Sequence, residues 1–279
     1  MPELPEVEIV RRSLLKELVG KKILSVEVFR ELSIGYPTPE RFRKELKGQT
    51  FRDISRRGKY LLFHLNERNK FLIVHLRMSG RLLLVDKKHD FDKRSKFVRV
   101  NFMLNSGEQL IFEDMRVFGR LWAVSSKITL AEAIPSFASL GIEPLNELNG
   151  KQLQTLFHKK RQSIKTALLD QRLLTGIGNI YADEILFQAG IHPLTPAGKI
   201  NKKQAKNLAK VIPNTLNKAI KLGGSSIKDF VDAKGVNGNY QHSAFVYGRT
   251  GRKCRLCKSP IERIKLAGRS THFCLICQK

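Results

Sequence analysis

The chain has 279 residues, 42% of them apolar and 27% charged, with 16 phenylalanines; that is enough for about two domains with cores of their own and excludes a disordered tail. Lys and Arg number 51 against 25 acids, and the formal net charge of +26 points to a polyanionic partner. No apolar run exceeds the five residues Phe273–Cys277, and the start Met1-Pro2-Glu3 is acidic where a secretory signal would be basic, so neither a membrane span nor a signal peptide is expected and the protein is expected to be cytoplasmic.

In chain order, Glu6 to Leu18 carries Val7, Val10, Leu14 and Leu18 at helical spacing, with Glu6 and Glu8 in the first turn and Lys16 in the last, as the helix dipole favours. A buried helix is predicted there. From Lys22 to Val124 the apolar period changes to two. Leu24, Val26 and Val28 alternate, runs follow at Tyr60–Phe63, Phe71–Val74, Arg81–Val85 and Phe97–Phe102, and Asn105-Ser106-Gly107 signals a turn. The first half is therefore predicted to be mostly antiparallel sheet, with a short helix at Glu40–Leu46 stopped by Gly48. Beyond Gly141-Ile142-Glu143-Pro144 helical patterns return at Lys151–Phe157, Ser163–Leu169, Asn179–Ala189, Lys202–Leu222 and Ser226–Val231. These patterns divide the chain into a first domain at 1–134, a linker at 135–149 and a helical domain at 150–233. A glycine-rich loop and connection at 234–250 and a small module at 251–279 follow.

The small module holds all four cysteines, as Cys254-x2-Cys257, sixteen residues, then Cys274-x2-Cys277. Each pair can turn two thiolates toward one ion, and the interval is long enough for a hairpin that brings the pairs together, so one structural Zn2+ is expected. Four thiolates leave no open position for catalysis. Two disulfides are the alternative, disfavoured by the absence of a secretory signal. Eight Lys or Arg residues between Gly251 and Lys279 face one acid, Glu262, a balance suited to gripping phosphates.

The second residue is chemically unusual. With Met1 removed, Pro2 presents a secondary amine, and an amino terminus of pKa near 8 is about one tenth neutral at pH 7. Attack on a sugar C1′ would give an iminium directly, an electron sink for eliminating phosphate. Glu3 and Glu6 stand beside that amine, and a carboxylic acid with a carboxylate is the usual pairing for moving protons. The same prolines and glutamates also suit plain capping of the first helix.

The run Met1-Pro-Glu-Leu-Pro-Glu-Val-Glu8 resembles the amino terminus of the formamidopyrimidine-DNA glycosylases. The similarity continues through Ser55–Leu61, His75-Leu-Arg-Met-Ser-Gly80, Asp114-Met-Arg-Val-Phe-Gly119, Gly176–Glu184, Val246–Arg249, Gly268-Arg269 and the two cysteine pairs. The resemblance implies an α+β protein: an N-terminal antiparallel β-sandwich domain with flanking helices, and a C-terminal helix-two-turn-helix domain with a lesion-capping loop and a β-hairpin zinc finger. It implies a monomeric, bifunctional glycosylase and abasic lyase that excises 8-oxoguanine and formamidopyrimidines from duplex DNA and then cleaves the strand by β- and δ-elimination.

Carried over residue by residue, the resemblance makes Pro2 the Schiff-base nucleophile and Glu3 the general acid with Glu6 in support. Lys59 assists the first elimination, and Arg269 grips phosphate and assists the second; a cation beside a leaving phosphate stabilises developing charge. An exposed strand lysine is the plain alternative for Lys59. Met78, Arg116 and Phe118 match the residues that fill the void left by an everted base, although Met78 and Phe118 also suit a core at strand ends. His75, Lys160, Lys165 and Asn179 match further DNA contacts.

One segment departs from the family. Many members have Lys-His-Asp-His where this chain has Lys96-Phe97-Val98-Arg99, which puts a histidine–phosphate contact in doubt; His89-Asp90 is a possible shifted substitute. Two other functions compete: an endonuclease VIII-like enzyme for oxidised pyrimidines, disfavoured by Leu4 where that group has glycine, and a non-catalytic basic zinc protein that coats nucleic acid, which leaves the amino terminus unexplained.

Overall fold

The computed structural model describes residues 2–86, 96–125, 128–146, 148–226 and 232–279. His89-Asp90 and most of the helix predicted at Ser226–Val231 lie outside the described residues. The chain forms two compact units, Met1–Ala138 with Gly223–Gly238, and Ser139–Leu222 with Asn239–Lys279. This division differs from the five predicted segments, because 223–233 belongs with the first unit and 139–149 with the second. The physical reason lies at an open sheet edge: the Leu84 N–H donates to the Ala233 carbonyl at 3.1 Å, and Ala233 is buried in the first unit's core.

The first unit opens with helix α1 (Leu4–Leu18), whose Val7, Val10, Leu14 and Leu18 are buried as their spacing requires. Helix α2 (Pro39–Leu46) is capped by Thr38 and buries Phe42 and Leu46. The strands are β1 (Ile23–Val28), β2 (Ile34–Tyr36), β3 (Phe51–Arg57), β4 (Tyr60–Leu65), β5 (Phe71–His75), β6 (Gly80–Val85), β7 (Val98–Leu104), β8 (Gln109–Asp114) and β9 (Arg120–Val124). They build a four-stranded sheet ordered β1-β7-β8-β6 and a five-stranded sheet ordered β2-β9-β5-β4-β3. All pairings are antiparallel except the short parallel contact of β2 with β9. One core joins both sheets, with Phe63, Leu72 and Val74 from one and Val100, Phe102 and Phe112 from the other, closed by the apolar faces of α1 and α2. Leu24 departs from the predicted alternation and is 49% exposed, because the β1–β7 register shifts between Ile23 and Ser25 and turns it outward. Short helix α3 (Leu130–Ala133) closes the predicted first domain, and α4 (Pro135–Ala138) occupies what was expected to be the start of a linker.

The second unit contains α5 (Gly150–Phe157), α6 (Ile164–Leu169), α7 (Asn179–Ala189), α8 (Lys202–Lys221), α9 (Tyr240–Ser243) and the hairpin β10 (Glu262–Leu266) with β11 (Arg269–Phe273). Helix α7 is buried without a break from Ile180 to Phe187 because α6, α8 and β11 all pack on it. It ends at Gly190, whose φ of 69° is the left-handed conformation that favours glycine. Among the described residues no helix is long and apolar enough to cross a membrane.

Candidate active site and nucleic-acid interface

Pro2 and Glu3 are buried at the mouth of α1. Glu6 holds them there: one carboxylate oxygen accepts the Glu3 N–H at 2.9 Å and the other accepts the Ser225 N–H at 2.9 Å. A carboxylate in the first turn also suits the helix dipole. Gly224 lets the second segment approach, since it has φ +75° and a Cβ there would stand 3.0 Å from the same Glu6 oxygen. The next acid, Glu8, fixes the helix to the sheet. Burial opposes its ionisation, yet hydrogen bonds from Arg11, Arg12 and Arg56 hold its carboxyl down at about 2.

Lys59 sits in the β3–β4 turn behind Gly58 and is only 8% exposed, so it is not the exposed strand lysine of the plain alternative. His75 pairs with Tyr60 across the β4–β5 ladder, their rings 4.6 Å apart and edge to face. Burial, then the charges of Arg77 and Lys59, push the His75 imidazole down to about 3, so it is neutral at pH 7. Its Nδ1 accepts the Arg77 N–H at 3.0 Å. The proton therefore resides on Nε2, which makes His75 a neutral donor rather than a cation.

Met78, Arg116 and Phe118 occupy two loops of the first unit, at the β5–β6 and β8–β9 connections. All three are exposed, Met78 by 41% and Phe118 by 48%, and the Arg116 guanidinium lies over the Phe118 ring at 4.9 Å. A core role for the two apolar side chains is thereby corrected. Between the loops stands the fully buried Asp114. Its carboxylate accepts Ser79 Oγ–H at 2.5 Å and the N–H groups of Arg116 at 3.1 Å and Gly119 at 2.7 Å.

In the second unit, Gln171 shapes the turn before α7 by accepting the Gly176 N–H at 2.8 Å and donating to the Ile177 carbonyl at 2.9 Å. Asn179 opens the helix and donates to the Ser270 carbonyl at 3.0 Å, which fastens the helix start to the hairpin. Arg269 is exposed at the hairpin tip, beyond a turn in which Ala267 and Gly268 both have positive φ. Lys160 is half-buried. Lys165 departs from the expected phosphate contact. It is 1% exposed, and its ammonium lies 2.6 Å from Asp183 while donating to the Ser270 carbonyl and Thr271 Oγ1. The desolvation of a buried ammonium demands such partners, so its work is internal. Asp183 also accepts the His272 N–H at 2.8 Å. The neighbouring Glu184, pushed up by burial, accepts the N–H groups of Phe245, Val246 and Tyr247 at 2.8–2.9 Å.

The four cysteine sulfurs lie within 4.8 Å of one another, with Cys254–Cys277 at 3.9 Å and Cys257–Cys274 at 3.4 Å. A tetrahedron of sulfurs about 2.3 Å from zinc has edges of about 3.8 Å, so the donor set fits one structural Zn2+. The buried cluster around it is small, comprising Phe187, Val246, Cys254, Ile261 and Cys274, and a core of that size needs the metal as a staple.

Three family models match the chain: the formamidopyrimidine-DNA glycosylase N-terminal domain over residues 1–121, the formamidopyrimidine-DNA glycosylase H2TH domain over 140–231, and the zinc finger found in FPG and IleRS over 251–279. The formamidopyrimidine-DNA glycosylase of Gloeobacter violaceus is 46% identical over 282 residues, covering 100% of this chain and 98% of its own. The chain belongs to the formamidopyrimidine-DNA glycosylase family. The enzyme of that name from Bacillus licheniformis is 44% identical over the full length of both chains. Among solved structures, a Lactococcus lactis FPG mutant bound to a Fapy-dG containing DNA superposes with a TM-score of 0.90 at 40% identity, covering both chains completely. The L. lactis Fpg with an abasic site containing DNA gives 0.89 at 40% identity and 99% coverage of each.

Within a formamidopyrimidine-DNA glycosylase, Asp114, Ser79, Asp183 and Glu184 are organising residues that sequence reasoning quoted inside motifs without giving them a role. Their signal was a carboxylate or hydroxyl embedded among glycines and aromatics, where an unpaired polar group is costly. The divergent Lys96–Arg99 segment also has an internal task. The Phe97 carbonyl accepts the Asp114 N–H at 2.9 Å, and Arg99 Nε donates to the Asp114 carbonyl at 2.7 Å.

Proposed function

We propose that the protein is a base-excision repair enzyme that removes oxidised purines, 8-oxoguanine and formamidopyrimidines, from duplex DNA and cleaves the abasic strand. The observation that carries this is the amino end itself: Pro2 and Glu3 buried at the start of α1, with Glu6 bonded to the Glu3 N–H. Once Met1 is removed, the Pro2 nitrogen attacks C1′ of the damaged nucleotide. The glycosidic bond breaks and the base leaves with the proton shed by the Pro2 nitrogen; Glu3 then protonates O4′, the C1′–O4′ bond breaks, and the opened sugar remains as an iminium on Pro2. Loss of the 2′ proton breaks the C3′–O bond, a second elimination releases the 5′ phosphate, and water hydrolyses the iminium to free the amine. Lys59 and the neutral His75 donor stabilise phosphate charge, and Arg269 does so from the hairpin. Glu6 is a positioning residue, since both its oxygens are engaged by backbone N–H groups.

Eversion of the base is supported by Met78, Arg116 and Phe118, which fill the stack and pair with the orphaned base. Asn179, Lys160 and Arg269 position the duplex backbone, while one zinc, held by Cys254, Cys257, Cys274 and Cys277, keeps the hairpin shaped. The net charge of +26 supplies the long-range attraction. Chromosomal DNA as substrate places the enzyme in the cytoplasm. An L. lactis Fpg was also crystallised with an oxidised pyrimidine containing DNA, which extends the proposed substrate class toward such lesions. Borohydride reduction during incubation with 8-oxoguanine duplex is expected to trap a covalent adduct that maps to Pro2. Protein that cleaves the duplex without such an adduct, or that retains Met1 at full rate, overturns the mechanism.

A further inference from the structure

We propose that Asp114 and Ser79 are positioning residues that couple the insertion of Met78 to that of Arg116 and Phe118, so that the two loops enter the duplex as one body. The inference rests on the void-filling roles proposed above and adds how those residues are held.

Two loops far apart in sequence carry the inserting side chains, and each needs its own order. Met78 and Phe118 are exposed, so core packing does not fix them and their direction must come from the backbone. Each loop also holds a non-glycine residue at positive φ beside its inserting side chains, Arg77 at +53° and Val117 at +56°. For a β-branched valine this is a strained conformation that persists only where the surroundings impose it.

The surroundings are the Asp114 node. Asp114 Oδ1 accepts both the Ser79 hydroxyl and the Arg116 N–H, and Oδ2 accepts the Gly119 N–H. Ser79 Oγ itself accepts the Arg116 N–H at 3.2 Å, which makes the hydroxyl a direct bridge between the loops. The Asp114 backbone is held from a third segment through Phe97 and Arg99. Gly119 must be a glycine here, since a Cβ would stand 2.5 Å from Phe112 Cζ. Burying a carboxylate carries a large desolvation cost that an apolar side chain avoids. What this carboxylate gains is the fixed relation of one loop to the other, because its donors come from both.

The test is a set of double-mutant cycles. Single-turnover excision on 8-oxoguanine duplex is measured for Met78→Ala, Phe118→Ala and the pair, in the native background and with Ser79→Ala. Cleavage of a preformed abasic duplex is the control, since no base remains to be evicted there. In the native background the paired loss is expected to differ from the product of the single losses by about three- to tenfold, the scale of the bridging hydrogen bonds. In the Ser79→Ala background the losses multiply, and the losses on the preformed abasic duplex are smaller than those on 8-oxoguanine duplex throughout, because no base has to be evicted there. Asp114→Asn, which exchanges one acceptor for a donor, is expected to abolish the coupling in the same way. Coupling that survives Ser79→Ala unchanged overturns the inference and leaves the void-filling reading standing. Single variants that excise at the native rate overturn both.

Discussion

The His75 ring, neutral because burial and then Arg77 and Lys59 hold it down at about 3 against an ordinary 6.5, ties stability to pH. An unfolded chain takes up the proton below pH 6.5, whereas the folded protein cannot until about pH 3. The stability associated with the neutral ring is therefore complete above pH 6.5 and declines as the pH falls through that window. At pH 5 the loss is about 2 kcal/mol. His75→Gln is expected to flatten this decline, read as a smaller shift of the urea midpoint between pH 7 and pH 5; an unchanged shift would show that the ring is not the proton acceptor. At this scale the sequence was informative where chemistry is local. The cysteine spacing and the surface seats of Met78 and Phe118 near Gly80 and Gly119 were legible because each motif carries its own constraint. Asp114 and Glu184 were not, because their meaning lies in N–H groups presented by folded loops, in the case of Glu184 from residues about sixty positions away.

Helix α6 and strand β11 are joined by Lys165, and the hairpin tip carries the exposed Arg269; the proposed function gives these two cations opposite work, one inside the fold and one toward phosphate. Lys165→Met leaves the Asp183 carboxylate buried with a partner missing and is expected to cost about 3–5 kcal/mol of stability. The salt dependence of DNA binding should keep its slope in that variant, provided titrations are run below its melting temperature. Arg269→Ala should leave stability within about 0.5 kcal/mol but lower the slope of log K against log salt by about one phosphate contact. A flattened slope for Lys165→Met would return it to the DNA contacts. Periodicity revealed the main helices well, since α1, α5 and α8 each bury a recognisable apolar face, whereas α7 is buried all round. It failed at Leu24, because a register shift in β1 reverses the side-chain faces without leaving a trace in the apolar pattern. Lys165 misled for a related reason: a lysine beside a DNA-binding motif has the same letter whether its ammonium points to phosphate or to a buried aspartate.

At the scale of the molecule, charge and metal act together. Removing one thiolate by Cys257→Ser is expected to release zinc, lower duplex affinity and collapse the hairpin that carries Arg269, while the sheet spectrum of the first unit and its near-ultraviolet signal from Trp122 persist. Metal analysis with a binding titration checks this, and full affinity in a metal-free variant would separate the hairpin from DNA binding. The two-unit division also bears on how the chain is made. The first unit is completed by residues 223–238, which supply the Ser225 N–H to Glu6 and the Ala233 carbonyl to β6. A ribosome releases the chain from its amino end, so Pro2 and Glu3 emerge well ahead of the segment that completes their housing, which lacks its last wall until the whole of 139–222 has been synthesised. The proposed nucleophile is made long before the segment that completes its housing.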